Sequence, residues 1–429
     1  MKRNRALFLS DLGFQYGAGV AQARQIEAMM HLGWEVAAVA WEAGDVSPGK
    51  VFSRQPPPGC WLGLRSIKYL EERPDITPAS IIELVLIEVA RLQPDLVVVG
   101  NIHGAKWPLE LLSALPRLGC RVAVYLHDCY YLTGRCPYPG ACTLHTTGCD
   151  ASCPTATEYP PLAPELIHSQ WALRRQIFGP GSKIEVLANS EWTARMFRAA
   201  IPEAANVTTL HLGADEDAFR PLDRAAAKRD LGIPQDRPLI LCAAVNFEDR
   251  RKGAIYIESI VEQFSDRAFV AAFGHNAGRI PNLFPLGYHV SPHDIARIIG
   301  AADVFVGTAL EEAFGQTVME AQLCGCPVVA FDVGGIPEII RHQETGVLVA
   351  RHDCPKLIAA VKDLLDAPAH AAAMGREARH LATDRFSLPA HAARWARFMT
   401  SPRAQDGAAN AAPPRLHLPS TPAASPARP

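Results

Sequence analysis

Ten short apolar runs rich in Val, Ile and Leu alternate with longer segments of helical period, and this alternation constrains the fold most. The runs lie at 5–10, 35–41, 95–100, 121–126, 184–189, 238–244, 267–273, 303–307, 327–331 and 346–349. Continuous apolar strands that are each bounded by a helix are typical of parallel sheets covered on both faces. The sequence therefore predicts an α/β chain with two Rossmann-like doubly wound domains.

The same pattern predicts how the chain is divided. We expect a first domain at 1–208, a second at 209–385 and a closing amphipathic helix at 386–400. The stretch 401–429 holds seven Pro and eight Ala. Because it lacks the apolar side chains that would offset its chain entropy, we predict a disordered tail.

Composition excludes several classes of protein. The chain has 42 Lys and Arg against 44 Asp and Glu, a formal charge of −2, and a dedicated nucleic-acid binder normally has a basic excess. Its apolar runs are shorter than a membrane span, and Ser10 and Asp11 interrupt the apolar start that a signal peptide would need. We therefore expect a cytoplasmic protein. Eleven cysteines in such a chain also argue against a disulfide framework.

An acidic loop and a helix start follow the strand that ends near Gly307. Gly315 precedes a helix that we expect to begin near Gln316, with Glu312 in the loop and Glu320 about one turn into the helix. Exposed amides and the helix dipole bind anions at such a start. Two carboxylates beside an anion site suit a ligand with both phosphates and hydroxyls, such as a nucleotide sugar. The alternative is that both are solvated surface residues.

In each half, the loop that follows the first strand is a further candidate site. Arg250, Arg251 and Lys252 could grip a diphosphate, or they could form an ordinary solvated loop. Gly17 and Gly19 would let backbone approach a ligand closely. They do not complete the G-x-G-x-x-G fingerprint of dinucleotide-binding oxidoreductases, because position 22 is Gln.

Histidines and cysteines cluster after two strands of the first half. His127 and Asp128 follow the strand 121–126, at a carboxyl end where doubly wound sheets place ligands, and His103 is a second candidate on the same rim. Either histidine could instead be structural. The loop 129–154 brings four cysteines that could form a tetrahedral zinc site, or could remain reduced thiols. These are Cys136, Cys142, Cys149 and Cys153.

Several segments together resemble the retaining nucleotide-sugar glycosyltransferases of the GT-B fold (glycosyltransferase group 1, family 4 type), over roughly residues 6 to 400. They are 11–29, 188–197, 212–221, 247–260, 312–338 and 344–349. The resemblance implies two Rossmann-like domains facing across a cleft, with the last helix returning toward the first domain. It makes 1–208 the acceptor side, with the Cys-rich loop 129–154, and 209–385 the nucleotide-sugar donor side. A catalytically degenerate nucleotide-sugar-binding protein, or a periplasmic-type sugar-binding protein, remains the alternative.

The resemblance assigns roles to individual residues. It implies that Glu312 contacts the donor sugar, that Glu320 binds the nucleotide ribose, and that Lys252 holds the diphosphate. With His127 facing the donor sugar, it makes Glu312, His127 and Lys252 the catalytic set. The predicted donor-binding residues are Gly17, Gly19, Asn246, Arg250, Arg251, Lys252, Leu286, Gly287, Tyr288, Phe314, Gly315, Gln316, Thr317, Val318 and Glu320. Asn246 departs from the family pattern, which usually has Arg there.

The resemblance also implies a mechanism and a setting. Retention proceeds by front-face attack with no protein nucleophile, no divalent metal and no catalytic cofactor. A similar Cys-rich insertion occurs in a subset of exopolysaccharide glycosyltransferases, so we expect a saccharide or lipid-linked acceptor and peripheral contact with the inner face of the plasma membrane. The candidate for that contact is the helix 166–178, which sets Trp171, Leu173, Ile177 and Phe178 beside Arg174 and Arg175. A core-packed helix is the alternative.

Overall fold

Two parallel sheets, one in each half of the chain, form the framework of the protein. The computed structural model describes residues 3–44, 47–204 and 207–402. The first sheet has seven strands: Arg5–Leu12 (β1), Glu35–Glu42 (β2), Trp61–Ser66 (β3), Leu96–Val99 (β4), Arg121–Leu126 (β5), Ile184–Ala188 (β6) and Val207–Thr209 (β7). The second has six: Leu239–Asn246 (β8), Phe269–His275 (β9), Phe284–Pro285 (β10), Val304–Gly307 (β11), Val328–Phe331 (β12) and Gly346–Val349 (β13). The predicted fold class is confirmed.

The strand orders explain which strands the sequence pattern missed. The first sheet runs β3-β2-β1-β4-β5-β6-β7 and the second β10-β9-β8-β11-β12-β13, with parallel pairing throughout. All ten predicted strands are present. The three that were missed, β3, β7 and β10, lie at sheet edges and are partly exposed. Edge strands have one unpaired side, so they do not need the continuous apolar run by which a central strand is recognised.

Fourteen α-helices in the described part of the chain connect and cover the strands. They are Tyr16–His31 (α1), Pro48–Val51 (α2), Pro78–Leu92 (α3), Leu111–Ala114 (α4), Leu144–Thr147 (α5), Pro164–Phe178 (α6), Glu191–Ala200 (α7), Arg224–Asp230 (α8), Ala254–Phe264 (α9), Pro292–Gly300 (α10), Gln316–Leu323 (α11), Cys354–Asp366 (α12), Pro368–Phe386 (α13) and Leu388–Thr400 (α14). None of the described helices has both the length and the apolar character to cross a bilayer.

The last helix, α14, returns to the first domain, as predicted. Its Trp395 is fully buried and lies against Phe8 of β1 and Tyr125 of β5, with ring centroids 6.2 and 6.4 Å away. Arg121 of β5 also donates a hydrogen bond to the Met399 carbonyl at the end of α14. Burying a large aromatic side chain of this kind contributes about 1.5–3 kcal/mol, so α14 ties the end of the second half to the first sheet.

Polar contacts also join the two halves near their cleft. Ser190, the N-cap of α7, donates a hydrogen bond of 2.6 Å to the Ala313 carbonyl. The Glu338 carboxylate accepts from the amides of Glu191 and Trp192, each at 2.8 Å. The first sheet ends at Thr209 and the second begins at Leu239. The domain limits of 1–208 and 209–385 stay predictions, and the expected tail lies, from residue 403 onward, outside the described residues.

Helix α6 packs one face into the first domain, so the expectation that Arg174, Ile177 and Phe178 meet a membrane is wrong. Contact through Trp171, Leu173 and Arg175, which are partly exposed, stays a prediction. Arg174 is 2% exposed, with its guanidinium 4.3 Å over the Tyr130 ring and a 2.8 Å hydrogen bond to the Gln170 carbonyl. Ile177 and Phe178 are buried in the core. The pattern misled because apolar side chains beside cations look the same whether the cation meets lipid headgroups or buried carbonyls and an aromatic face.

Candidate functional site

A cleft of about 780 Å³ separates the two sheets at the carboxyl ends of their strands. Ligands in doubly wound folds bind at this edge. Twelve of the candidate site residues from the sequence line it: Gly17, His103, His127, Cys136, Asn246, Arg250, Arg251, Lys252, Glu312, Phe314, Gly315 and Gln316. Gly19, Leu286, Gly287, Tyr288, Thr317, Val318 and Glu320 do not line it.

The start of α11 forms one wall of the cleft. The strand β11 ends at Gly307 and the helix begins at Gln316, as the sequence predicts. Gly315 is the N-cap residue with φ +103°, a conformation that glycine adopts readily and other residues do not. The helix start therefore presents backbone amides to the cleft, with the positive end of the helix dipole behind them.

The basic loop after β8 meets the acidic loop directly. The Lys252 ammonium lies 2.7 Å from a Glu312 carboxylate oxygen, and Arg251 donates a 3.0 Å hydrogen bond to the Glu311 carbonyl. Burial alone would raise the pKa of Glu312, but the Lys252 and Arg251 cations hold it below its ordinary value. Glu312 is therefore an anion near neutral pH, with its charge compensated by the basic loop.

Local contacts determine the shape of the basic loop. Asp249 accepts a 3.0 Å hydrogen bond from the Arg251 amide and caps the short turn formed by 250–252. Gly253 then adopts φ +68°, where an added Cβ would lie 2.1 Å from the Thr308 carbonyl oxygen. Asn246, at the end of β8, accepts a 2.8 Å hydrogen bond from the Asn276 side chain. The position at which the resemblance implies an arginine therefore carries an amide that is bonded to the loop after β9.

Glu320 lies at the junction of the two halves rather than in the open cleft. It forms an ion pair with Arg24 of α1, and both side chains are at least 95% buried. Arg24 also donates a 3.0 Å hydrogen bond to Gln316, which in turn donates one of 2.8 Å to the Gly17 carbonyl. Burial raises the pKa of Glu320 despite the Arg24 charge. Its second carboxylate oxygen is buried and accepts no hydrogen bond from the described residues.

Arg24 was missed by sequence reasoning. The helical period of α1 does place it on a buried face, but the period cannot reveal that its partner is almost three hundred residues away. Gly19, by contrast, has a packing role. A Cβ there would lie 2.1 Å from the Gly13 carbonyl oxygen, so the position requires close backbone contact rather than an opening toward the cleft.

The opposite wall of the cleft carries a buried polar network. His103 Nε2 lies 3.0 Å from an Asp128 carboxylate oxygen, and Asn101 donates to that oxygen at 3.0 Å. Burial would raise the pKa of Asp128, but His103 holds it below its ordinary value. His127 lies beside this network, and burial lowers its pKa to about 4. His127 is therefore a neutral imidazole at neutral pH, able to donate or accept a hydrogen bond.

The segment after His127 and Asp128 reaches across the cleft, which the sequence did not predict. Tyr138 lies with its ring 3.9 Å from the Arg251 guanidinium of the second half. Arg135 is almost fully buried and donates hydrogen bonds to the carbonyls of Glu158 and Pro160 at 2.6 and 2.8 Å. These bonds hold the segment 158–160 along the cleft. The cleft lining from this segment is Arg135, Cys136, Pro137, Tyr138, Thr155, Glu158 and Tyr159.

Of the predicted donor-binding residues Leu286, Gly287 and Tyr288, only Tyr288 borders a neighbouring opening. Tyr288 stacks on His275 with ring centroids 4.1 Å apart, and its hydroxyl accepts a 3.1 Å hydrogen bond from the Tyr16 amide. Gly287 accepts a 2.7 Å hydrogen bond from the Gly274 amide. Tyr288 borders a second interdomain cleft of about 640 Å³. An aromatic pair at such an edge can stack a base.

Comparison with known proteins finds similarity in part of the sequence and in the fold. Residues 277–381, which include the whole of α11, match the family described as Glycosyl transferases group 1. The solved structure of sucrose-phosphate synthase from Thermosynechococcus elongatus superposes with a TM-score of 0.68 at 19% identity, covering 92% of this chain and 98% of that one. Anabaena HepE in complex with UDP-glucose gives 0.65 at 17%, covering 92% and 99%. The fold is GT-B.

Curated relatives match only part of this GT-B chain. The D-inositol 3-phosphate glycosyltransferase of Mycolicibacterium paratuberculosis is 33% identical over 197 residues, which is 42% of this chain and 44% of that protein. The chain thus spans less than half the length of this relative. The activity and the substrates therefore have to be inferred from the site itself.

Proposed function

We propose that this protein is a retaining glycosyltransferase that moves a sugar from a UDP- or GDP-sugar to a saccharide or lipid-linked saccharide. The observation that carries the proposal is the Lys252–Glu312 pair in front of the α11 helix start. The cation and the helix start match the diphosphate of the donor, and the carboxylate in the same cleft matches its sugar hydroxyls. The match to the group 1 family and the UDP-glucose bound by HepE support the same reading.

The donor-side roles follow from the charges. Arg250, Arg251, Lys252 and the amides at the start of α11 would hold the diphosphate, and Glu312 would accept hydrogen bonds from the sugar. The unsatisfied carboxylate oxygen of Glu320 would accept a ribose hydroxyl. This proposal makes the Arg24–Glu320 pair part of the ribose site, since the Arg24 charge opposes the rise that burial causes in the pKa of Glu320.

The proposed chemistry is front-face substitution. The bond between the sugar C1 and the diphosphate oxygen breaks, and the acceptor oxygen bonds to C1 on the same face. The acceptor proton passes to the leaving phosphate oxygen. The amides of α11 and Lys252 would stabilise the negative charge that develops on the leaving group, which is the largest kind of catalytic help an enzyme offers. Neutral His127 would hydrogen-bond the donor sugar without competing for the phosphates. Because these cations balance the diphosphate, we propose no divalent metal in the reaction.

The opposite wall favours a neutral polyhydroxy acceptor over a phosphorylated one. The cations there are already occupied, since Arg135 is bonded to carbonyls and His103 is paired with Asp128. Carboxylates and neutral side chains remain, including Glu158 and His127. Such groups accept hydroxyl hydrogen bonds and would repel a phosphate. A saccharide therefore fits better than the inositol phosphate named for the curated relatives.

We also propose a cytoplasmic setting, at the inner face of the membrane where a surface polysaccharide is assembled. The described residues contain no disulfide bond among eleven cysteines, which is usual in a reducing compartment. Because Arg174, Ile177 and Phe178 of α6 are buried, a lipid-linked acceptor would have to supply most of the membrane contact.

Asn246 favours a second candidate, a nucleotide-sugar-binding protein without transferase activity, because it removes one expected phosphate contact. A donor panel separates the two. Thermal unfolding is measured with UDP- and GDP-sugars, since specific binding raises the melting temperature. Donors that bind are then incubated with the protein and followed by mass spectrometry for hydrolysis and transfer to saccharides. Slow hydrolysis and transfer support the enzyme, binding without turnover supports the second candidate, and absence of binding contradicts both.

A further inference from the structure

Four cysteines of the segment after His127 and Asp128 surround one small cavity beside the cleft. Although they are spread over eighteen residues of chain, all four line the same space of about 10 Å³, room for one water-sized atom. They are Cys136, Cys142, Cys149 and Cys153. None of the four forms a disulfide bond.

A fifth metal-ligating side chain points to the same place. His145 of α5 lines the cavity, and its Nδ1 is buried and has no hydrogen-bond partner among the described residues. An unsatisfied buried nitrogen costs about 1–3 kcal/mol, so it calls for a partner that the protein chain does not supply. Because it adjoins four thiols rather than an apolar pocket, that partner is expected to be an ion or its sulfur ligands.

Donors to the sulfurs are already in place. The Gly134 amide donates a 3.2 Å hydrogen bond to Cys149 Sγ, and an Arg135 guanidinium nitrogen lies 4.0 Å from Cys153 Sγ. Hydrogen bonds and a cation next to sulfur are what stabilise thiolates around a metal and orient them. Neutral thiols in a plain loop would gain little from either.

We propose that Cys136, Cys142, Cys149 and Cys153 bind one structural zinc ion. Zinc sites of this type take four thiolates in a tetrahedron with bonds of about 2.3 Å, which sets the sulfurs roughly 3.8 Å apart. Neutral His145 would donate its Nδ1 proton to a ligating sulfur. The donor set is complete, and no other residue is needed to neutralise or enclose the ion.

Binding would draw the loop inward around the cavity. Among the residues that the structure describes, only Asp215, Glu216 and Asp217 place three ligand atoms within 4.8 Å of one another, so the four sulfurs stand farther apart than a bound ion would hold them. The carboxylates of this acidic group form ion pairs with Arg54, which lies 2.5 Å from Asp215 and 2.7 Å from Asp217. The four thiols, by contrast, line a shared cavity.

The ion would also act on the active-site cleft. Arg135 and Cys136 line both the small cavity and the cleft, and Tyr138 follows two residues after Cys136 with its ring against Arg251. A zinc ion would therefore restrain the segment that covers the basic loop. Its loss should loosen Tyr138 before it unfolds the sheets, whose core lies elsewhere.

Metal content tests the proposal directly. We expect protein purified without added zinc or chelator to contain about one zinc ion per chain by elemental analysis. Cys136→Ser, Cys149→Ser and Cys153→Ser should each lower that content severalfold. Cys354→Ser is the matched control, because Cys354 is also partly exposed but lies at the start of α12 and does not line the cavity. It should keep its zinc.

A second measurement covers the case in which the serine variants fail to fold. Wild-type protein is exchanged into cobalt, whose visible absorption reports tetrahedral thiolate ligands. We expect strong thiolate-to-cobalt bands and protection of four thiols from an alkylating reagent until a chelator is added. Folded wild-type protein with negligible zinc and no such bands would overturn the proposal. So would peptide mass spectrometry that finds these cysteines paired as disulfides. Nucleotide binding is measured separately, so failure of the zinc site would leave the proposed activity standing.

Discussion

The two walls of the cleft are built in different ways. The wall from the second half comes from two contiguous segments, 246–252 and 311–316, each directly after a strand, and its charges pair across a short distance, as in Lys252–Glu312. The wall from the first half is assembled from four separated segments, and its polar groups are largely satisfied among themselves. The wall from the second half (the second wall) holds charge ready for an anionic ligand, whereas the wall from the first half (the first wall) offers a nearly neutral surface.

Disruption of the Arg24–Glu320 ion pair, which joins the two halves, should have the largest effect on stability. Arg24→Met leaves Glu320 buried without its cation, and Glu320→Met leaves Arg24 in the same state. Removing one partner of a buried ion pair costs about 3–5 kcal/mol, while replacing both by apolar groups of similar volume costs far less. We expect each single variant to lose that much in urea unfolding, and the double variant to recover most of the loss. A double variant as unstable as the two losses added together would show that the pair does not couple the walls.

Titration of His127 should give the next largest effect. Its pKa is about 4 in the folded protein against about 6.5 in an unfolded chain, so below pH 6.5 the unfolded state binds the proton more readily. Stability should therefore fall as the pH is lowered from 6.5 to 4, by roughly 3 kcal/mol from this group. The free energy of unfolding measured against pH should lose that slope in His127→Gln. If the slope persists in the variant, the first wall does not hold His127 neutral.

Tyr138 tests whether the first wall reaches the donor site. A cation–π contact is worth about 0.5–2 kcal/mol, so Tyr138→Ala should weaken nucleotide binding about two- to thirtyfold. Tyr138→Phe keeps the ring and serves as the control. Calorimetric titration that finds equal affinity for all three proteins would confine donor binding to the second wall.

Chelation of divalent metal ions should have the smallest effect on transfer by the second wall. If Lys252, its neighbouring arginines and the α11 start hold the diphosphate, transfer should survive EDTA under conditions where the protein remains folded. A loss of transfer that added zinc restores would be attributed to the cysteine segment of the first wall. A loss that magnesium or manganese restores would contradict the proposal that the second wall needs no metal.

The same contrast explains what could be predicted from the sequence. The helix start at Gln316 and the basic loop at 250–252 depend on neighbours a few residues away, such as Asp249 and Gly315, so local pattern was sufficient to find them. The nine central strands and the buried edge strand β13 were readable for a similar reason, because burial demands an apolar run.

Features that depend on distant partners could not be predicted. Nothing local in α1 shows that Arg24 pairs with Glu320, and nothing in the Cys-rich loop shows that Tyr138 meets Arg251. The interfacial interpretation of α6 failed at Arg174 for the same reason, since the partners that bury Arg174 come from other segments. Sequence pattern shows that a side chain is buried or charged, but the fold determines what it contacts.

Binding of a nucleoside diphosphate to Lys252 is the most direct test of the account. UDP and GDP are titrated calorimetrically into wild-type protein, Lys252→Ala and the control Lys356→Ala, whose side chain is 75% exposed on α12. A charged hydrogen bond in a closed site contributes about 1.5–3 kcal/mol, so Lys252→Ala should bind the preferred nucleotide roughly ten- to a hundredfold more weakly. Lys356→Ala should match the wild type. Equal affinity in all three proteins, or no binding of either nucleotide to the folded wild type, would contradict the assignment of this cleft as a nucleotide-sugar site.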